Sequence, residues 1–271
     1  MAPTAKQIAK NIVPPLLWSI GRNLKRRFVH SVTHFQYAPR GWSTPLPGGD
    51  HSDDFWFSFN AHEQAAVEKL IARIQAGEPL LETSGDEHNK YILFGYVLAL
   101  AARHLTKVSV LDYGGKLGDY YWLGRALVPG VELDYHCKEL STVAEAGQRL
   151  TPEVTWHTDD TVLTGSYDLV MFSSCIQCLP NWQDILVRAA QCARTYLLLS
   201  DVPTVRDVSA YVATHREGGR TNLQLVMNRS EIVGTVERAG LRLIREFAMG
   251  PHPPIANAPE QPMCRGWLFQ R

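Results

Sequence analysis

The segment Leu111-Asp112-Tyr113-Gly114-Gly115-Lys116-Leu117-Gly118 has the composition of a ligand-binding turn. An apolar run at 108–112 precedes it and a helix-like stretch at 117–127 follows, so the turn joins a buried strand to a helix. In open α/β sheets, ligands bind outside the carboxyl ends of the strands. Glycine there lets the backbone come close to a ligand and adopt positive φ at little cost. The spacing is G-G-x-x-G, with an acid two residues before the first glycine, and so differs from the G-x-G-x-x-G of a dinucleotide fingerprint. Glu139 stands 27 positions after Asp112, just past the strand expected at 131–137. A carboxylate so placed accepts both hydroxyls of a nucleotide ribose; the plainer reading is a surface glutamate. Cys175-x-x-Cys178 invites a zinc or redox reading, but zinc needs about four ligands and no second pair exists. The two read as ordinary thiols, and no metal is expected.

These residues need elements to hold them. From 107 to 271 strands and helices alternate, which signals a parallel sheet with crossover helices. Strands are expected at 108–112, 131–137, 154–157, 167–172 and 195–200, with further candidates at 241–247 and 266–269. Helices are expected at 117–127, 141–150 (Ser141 as N-cap), 181–193 and 230–239, the last capped by Ser230 and stopped by Gly240. Residues 41–106 open with a turn-rich stretch containing Trp42, Phe55, Trp56 and Phe57, readable as core packing or a sugar-stacking wall. Next comes a helix with an apolar face of Ala65, Val67, Leu70, Ile71 and Ile74, stopped by Gly77 and Pro79. A loop at 82–90 leads into a second helix at 91–104. These two helices form an N-terminal cap over one end of the nucleotide site. The expected fold is α/β, a Rossmann-like sheet of about seven strands with that helical cap.

Residues 1–40 form a third region. They carry seven basic residues and no acid, leaving 20 basic and 27 acidic residues in 41–271. Leu17, Ile20, Leu24 and Phe28 recur at helical spacing, with Arg22, Lys25 and Arg26 off the stripe. Such an amphipathic arm could lie on an anionic membrane or pack on the protein's own body. The 27 basic and 27 acidic residues of the whole chain balance, which gives no electrostatic case for nucleic acid. No apolar run approaches the roughly 20 residues of a membrane span. Five scattered cysteines fit a reducing compartment, and no signal peptide is evident, so a cytoplasmic location is expected, peripheral at the inner membrane surface if the arm binds lipid.

The glycine turn with its preceding acid resembles motif I of class I methyltransferases, which bind S-adenosylmethionine. In that motif a glycine usually stands where this chain has Lys116, and lysine at positive φ is strained. Its side chain reads either as a charge partner for the cofactor's carboxylate or, the favoured reading, as solvent-pointing. The ordered set of Gly41-Trp42, Leu-Asp-Tyr-Gly-Gly, Glu139, Ser173-Ser174 with Gln177, and Ser200-Asp201-Val202-Pro203 is similar to the methyltransferase family found in bacterial capsule and O-antigen gene clusters. The likeness spans about residues 35–250. It implies S-adenosylmethionine as cofactor, held by Asp112, Tyr113, Gly114, Gly115, Gly118 and Glu139. It also implies an adenine contact at Asp159-Asp160, for which a solvated acidic turn is the alternative, and a floor at Ser173 and Ser174.

Methyl transfer from a sulfonium needs alignment and, for a hydroxyl acceptor, a base. Candidates are His215, in the 201–229 segment read as an acceptor-side lid, His252 in the proline-rich 250–262 loop, and Asp201. Each histidine also reads as a packing residue. The implied reaction is O-methylation of a sugar or other small acceptor in surface polysaccharide assembly. Rival readings are a natural-product methyltransferase, a silent cofactor-binding scaffold, and a nicotinamide-dependent sugar reductase or epimerase. The glycine spacing and the lack of a Tyr-x-x-x-Lys pair disfavour the last.

Overall fold

A computed structural model describes residues 34–46, 52–82, 84–217 and 220–271, with only the backbone described over 52–62 and at 217. Residues 1–33, with the Leu17–Phe28 stripe, lie outside the described residues, as do the side chains of Phe55, Trp56 and Phe57.

The strands in chain order are β1 (His34–Tyr37), β2 (Lys107–Tyr113), β3 (Glu132–Lys138), β4 (Thr155–His157), β5 (Tyr167–Ser173), β6 (Ala193–Val205), β7 (Tyr211–Glu217), β8 (Arg220–Asn228), β9 (Arg242–Pro251), β10 (Ile255–Ala256) and β11 (Met263–Gln270). Seven of them form the Rossmann-like sheet, in the order β4-β3-β2-β5-β6-β11-β9. Strands β2 to β6 pair in parallel, while β11 runs antiparallel to both β6 and β9. Winding reverses between β2 and β5, the switch point at which a crevice opens in such sheets. The central strands are buried on both faces, as their continuous apolar runs require: Val108, Val110, Leu111, Leu169, Val170 and Phe172 have no accessible surface.

Helices α1 (Ser52–Gln75), α2 (Gly85–Ala102), α3 (Asp119–Leu127), α4 (Ser141–Leu150), α5 (Trp182–Cys192) and α6 (Arg229–Arg238) cover the two faces. Val67 and Ile71 of α1 and Leu93, Phe94, Val97 and Leu98 of α2 join one core with α3 and α4. Trp182, Ile185 and Leu186 of α5 and Ile232 and Val236 of α6 build the other. Full burial of such a side chain contributes about 1.5–3 kcal/mol.

Several expected boundaries move. Helix α2 begins six residues before Tyr91, because Ser84 caps it by accepting from the Glu87 N–H at 3.1 Å. Ser84-x-x-Glu87 has the residues of a capping box, so the expected 82–90 loop is largely helix. Helix α1 starts at Ser52 and takes the backbone of Phe55, Trp56 and Phe57 out of the expected turn-rich stretch. Ser141 is the first residue of α4 and caps nothing with its side chain. Asn228, not Ser230, caps α6, accepting from the N–H groups of Ser230 and Glu231.

The 201–229 segment is a hairpin. Strand β6 outlasts β5, and its end at Thr204 and Val205 pairs with β8, extending the sheet into β8-β7-β1-β10. His34–Tyr37, at the end of the expected basic arm, is thus a strand of this small sheet. Among the described residues no helix is long and apolar enough to cross a membrane.

Candidate functional site

The turn after β2 has the expected left-handed backbone. Gly114 (φ 77°), Lys116 (φ 54°) and Gly118 (φ 81°) all take positive φ. The Gly114 N–H donates to the Lys138 carbonyl at 2.8 Å, tying the turn to the end of β3. A Cβ on Gly114 would sit 2.6 Å from that of Cys175, and one on Gly115 would overlap the Asp112 carboxyl and the Cys137 thiol. Nothing larger than glycine fits at either place.

Lys116 pays about 1–2 kcal/mol for its left-handed backbone. Two contacts oppose that cost: its N–H donates to Glu139 Oε1 at 2.9 Å, and its Nζ donates to Glu63 Oε2 of α1 at 2.9 Å. The favoured solvent-pointing reading is therefore corrected, since the ammonium turns inward to a carboxylate because α1 lies over the turn.

Glu139 holds the turn from the β3 side, with Oε2 also accepting the Leu140 N–H at 2.9 Å. An ionised carboxylate has about four acceptor sites, so each oxygen keeps one beyond these bonds. Burial nudges its pKa upward against the pull of the two N–H donors. Asp112 is fully buried and accepts from the Tyr135 hydroxyl at 2.9 Å, while its Oδ1 has no partner among the described residues. Burial pushes its pKa up to about 8.

The other expected cofactor residues are tied into the protein. Tyr113 stacks on Phe172 at 4.9 Å and donates to Asp160 Oδ1 at 2.6 Å. Lys138 lies 3.6 Å from the same Asp160 oxygen. Asp159 accepts from the N–H and the hydroxyl of Thr161, capping a short 3₁₀ turn. Ser173 bonds the hydroxyls of Tyr120 and Ser200, each at 3.1 Å. Ser174, at φ 58°, faces a cavity beyond the strand ends.

That cavity, of about 350 Å³, lies between the strand ends and the small sheet, and Lys116 of the glycine turn forms part of its wall. All three candidate bases line it, although they come from β6, β7 and the residue after β9. Phe35 of β1 stacks on His215 at 4.4 Å and meets His252 edge-on at 4.6 Å. Burial depresses both imidazoles, and the neighbouring His252 helps push His215 down to about 4. His252 Nδ1 lies 2.7 Å from the Pro253 carbonyl, which can only accept, so Nδ1 carries the hydrogen. Its Nε2 is then a lone-pair site, reached among the described residues by the Gln224 amide at 3.4 Å. Asp201, at φ 56°, is held by Lys90 at 2.9 Å and lies beside the Cys264 thiol.

Sequence reasoning did not single out Lys90, Glu63 or Gln224, and noted Gln177 only through the resemblance. Lys90 fell in the expected loop, and Gln224 in a strand of the unrecognised hairpin. Both thiols of Cys175-x-x-Cys178 are pushed up by burial, Cys178 to about 12, and so stay protonated. Among the described residues no cluster suits a metal ion.

No family model and no curated protein matches the sequence. Solved structures similar to it include magnesium protoporphyrin IX methyltransferase from Synechocystis PCC 6803 with bound SAM (14% identity over 80% of this chain and 96% of that one, TM-score 0.47). Another is a putative sarcosine dimethylglycine methyltransferase from Galdieria sulphuraria (12%, 76% and 98%, 0.49). A third is an amino pentose methyltransferase from Micromonospora echinaspora (13%, 72% and 99%, 0.47). Likenesses this distant carry no argument about the chemistry, and the Rossmann-like sheet of this chain rests on its own strand order.

Proposed function

We propose that this chain is an S-adenosylmethionine-dependent methyltransferase that O-methylates a sugar or sugar-derived acceptor. The observation that carries this reading is the contact of Glu139 with the glycine turn at the switch point, beside a cavity that holds His252. The turn from Gly114 to Gly118 would hold the methionyl end and Glu139 the ribose, with Asp112 beneath the turn. Asp159 and Asp160 would flank the adenine through lone pairs not used in their present bonds. The tightly packed glycines and the unpartnered Asp112 Oδ1 are compatible with a cationic ligand above them. When bound, the cofactor supplies a methyl group already activated on sulfur.

The chain has two tasks left. It aligns the acceptor in the cavity, and it takes up the acceptor's hydroxyl proton on His252 Nε2. A role in surface polysaccharide assembly, with the basic segment before His34 resting on the inner membrane surface, is supported by the family resemblance and the charge asymmetry.

Calorimetric titration with S-adenosylmethionine, S-adenosylhomocysteine, NAD and NADP tests the cofactor. Saturable binding of the first two and none of the others is expected. Tight nicotinamide binding with no response to the sulfur nucleotides would overturn the reading.

A further inference from the structure

The acceptor side of the cavity is unevenly supplied with hydrogen-bonding groups. Gln177 is 4% exposed and faces the cavity. Its amide nitrogen lies 3.4 Å from the Ser174 hydroxyl, while its Oε1 is buried without a partner among the described residues. A buried carbonyl left unsatisfied is costly, and a donor arriving in the cavity removes that cost. His252 Nε2 is a second acceptor, for the tautomeric reason already given.

The ammonium groups on the wall are already engaged. Lys90 is ion-paired with Asp201 and Lys116 with Glu63, each at 2.9 Å. With Asp86 also on the wall, three carboxylates face two ammonium groups. An anionic ligand would have to share an ammonium group already neutralised by a carboxylate, and would meet an excess of negative charge. A hydroxyl or ammonium donor needs no cation, and Gln177 Oε1 can serve it once the amide turns toward the cavity that Gln177 lines.

We infer that the cavity takes an uncharged or amino-bearing polyhydroxylated acceptor, selected through Gln177 Oε1, and turns away carboxylated and phosphorylated ones. This rests on the reading of the cavity as the acceptor site of a methyltransferase. Gln177 is then a specificity-determining residue, with no part in the proton transfer.

The test is saturation-transfer NMR on the full chain with S-adenosylhomocysteine present. The probes are neutral, 2-amino, uronate and 6-phosphate forms of glucose, galactose and mannose. Neutral and amino forms should bind at least tenfold more tightly than the uronate and phosphate of the same sugar. Gln177→Leu should weaken neutral and amino binding about tenfold and leave S-adenosylhomocysteine affinity within twofold. Gln177→Glu should favour amino over neutral forms more than the native chain does. Circular dichroism checks the fold of both variants, and the native preference for uncharged ligands needs neither.

Equal or better binding of the anions, a folded Gln177→Leu chain with unchanged binding, or no binding by any neutral or amino sugar would overturn the inference. If S-adenosylhomocysteine fails to bind while the sugar preference persists, the cofactor assignment falls and only the ligand preference of the cavity stands.

Discussion

The carboxylate of Glu139 accepts the N–H of Lys116 at 2.9 Å, so the end of β3 and the crest of the glycine turn are one hydrogen-bonded unit. Removing that carboxylate leaves two partly buried N–H groups short of an acceptor, a loss of about 1–3 kcal/mol. Glu139→Ala should therefore lower the unfolding midpoint in a thermal melt. It should also weaken S-adenosylhomocysteine binding at least tenfold by calorimetry. A folded variant with native affinity would remove Glu139 from the ribose.

Lys116 offers a comparison between two substitutions. Lys116→Gly and Lys116→Ala both lose the Glu63 ion pair, but only glycine relieves the left-handed backbone. The ion pair is partly exposed and worth up to about 1 kcal/mol. Denaturant unfolding should find the glycine variant more stable than the alanine variant by about 1 kcal/mol. Equal stability would mean that the turn is unstrained.

Asp112 makes stability fall as pH rises. An unfolded aspartate ionises near about 4, whereas the buried one holds its proton up to about 8. Between those values the native state binds more protons than the unfolded state, so stability is full below the lower value and is lost progressively up to the higher one. Denaturant melts across this window should show the decline, and Asp112→Asn should flatten it. A cationic nucleotide above the turn should drive the proton off, so binding near pH 7 should release protons, measurable by calorimetry in buffers of different ionisation heat.

His252 and His215 can be told apart by the acid limb of the rate profile. A base must be neutral, and burial keeps both imidazoles neutral below the usual histidine range. Turnover with an acceptor found in the sugar panel should hold steady as pH falls through about 6.5 and decline below it. A limb near 4 would mark His215. His252→Ala should cut kcat by a factor of about 10²–10⁴ with little change in cofactor affinity. A native rate in that variant would assign the proton transfer elsewhere.

The basic segment can be tested with the folded chain intact. Deletion of residues 1–30 should reduce sedimentation with phosphatidylserine vesicles and leave binding to neutral vesicles unchanged. Native sedimentation after the deletion would discard the membrane role.

The sheet was legible because its central strands are short apolar runs ending in turn residues, and the glycine turn fell where the strand at 108–112 had to stop. Two elements escaped for local reasons. The start of α2 was hidden because its apolar periodicity begins only at Tyr91, although the residues of the Ser84 cap were in view. The β7–β8 hairpin has its sequence signal in Gly218-Gly219 between two β-prone runs, inside the stretch expected to be an acceptor-side lid. The site was legible in part. His215, His252 and Asp201 could be named, but their convergence depends on the small sheet, whose parallel β1–β10 pairing spans two residue pairs. Lys90 and Asp201 are 111 positions apart, and nothing local to either foretells their ion pair.

Phe35 has a practical consequence for anyone trimming this protein. It lies on the first described strand, yet it is the ring against which both cavity imidazoles rest. A shortened version that begins at residue 41, where the basic stretch ends, would discard that ring. It would be expected to keep its nucleotide crevice but lose the back wall of the neighbouring chamber. A cut before His34 spares it.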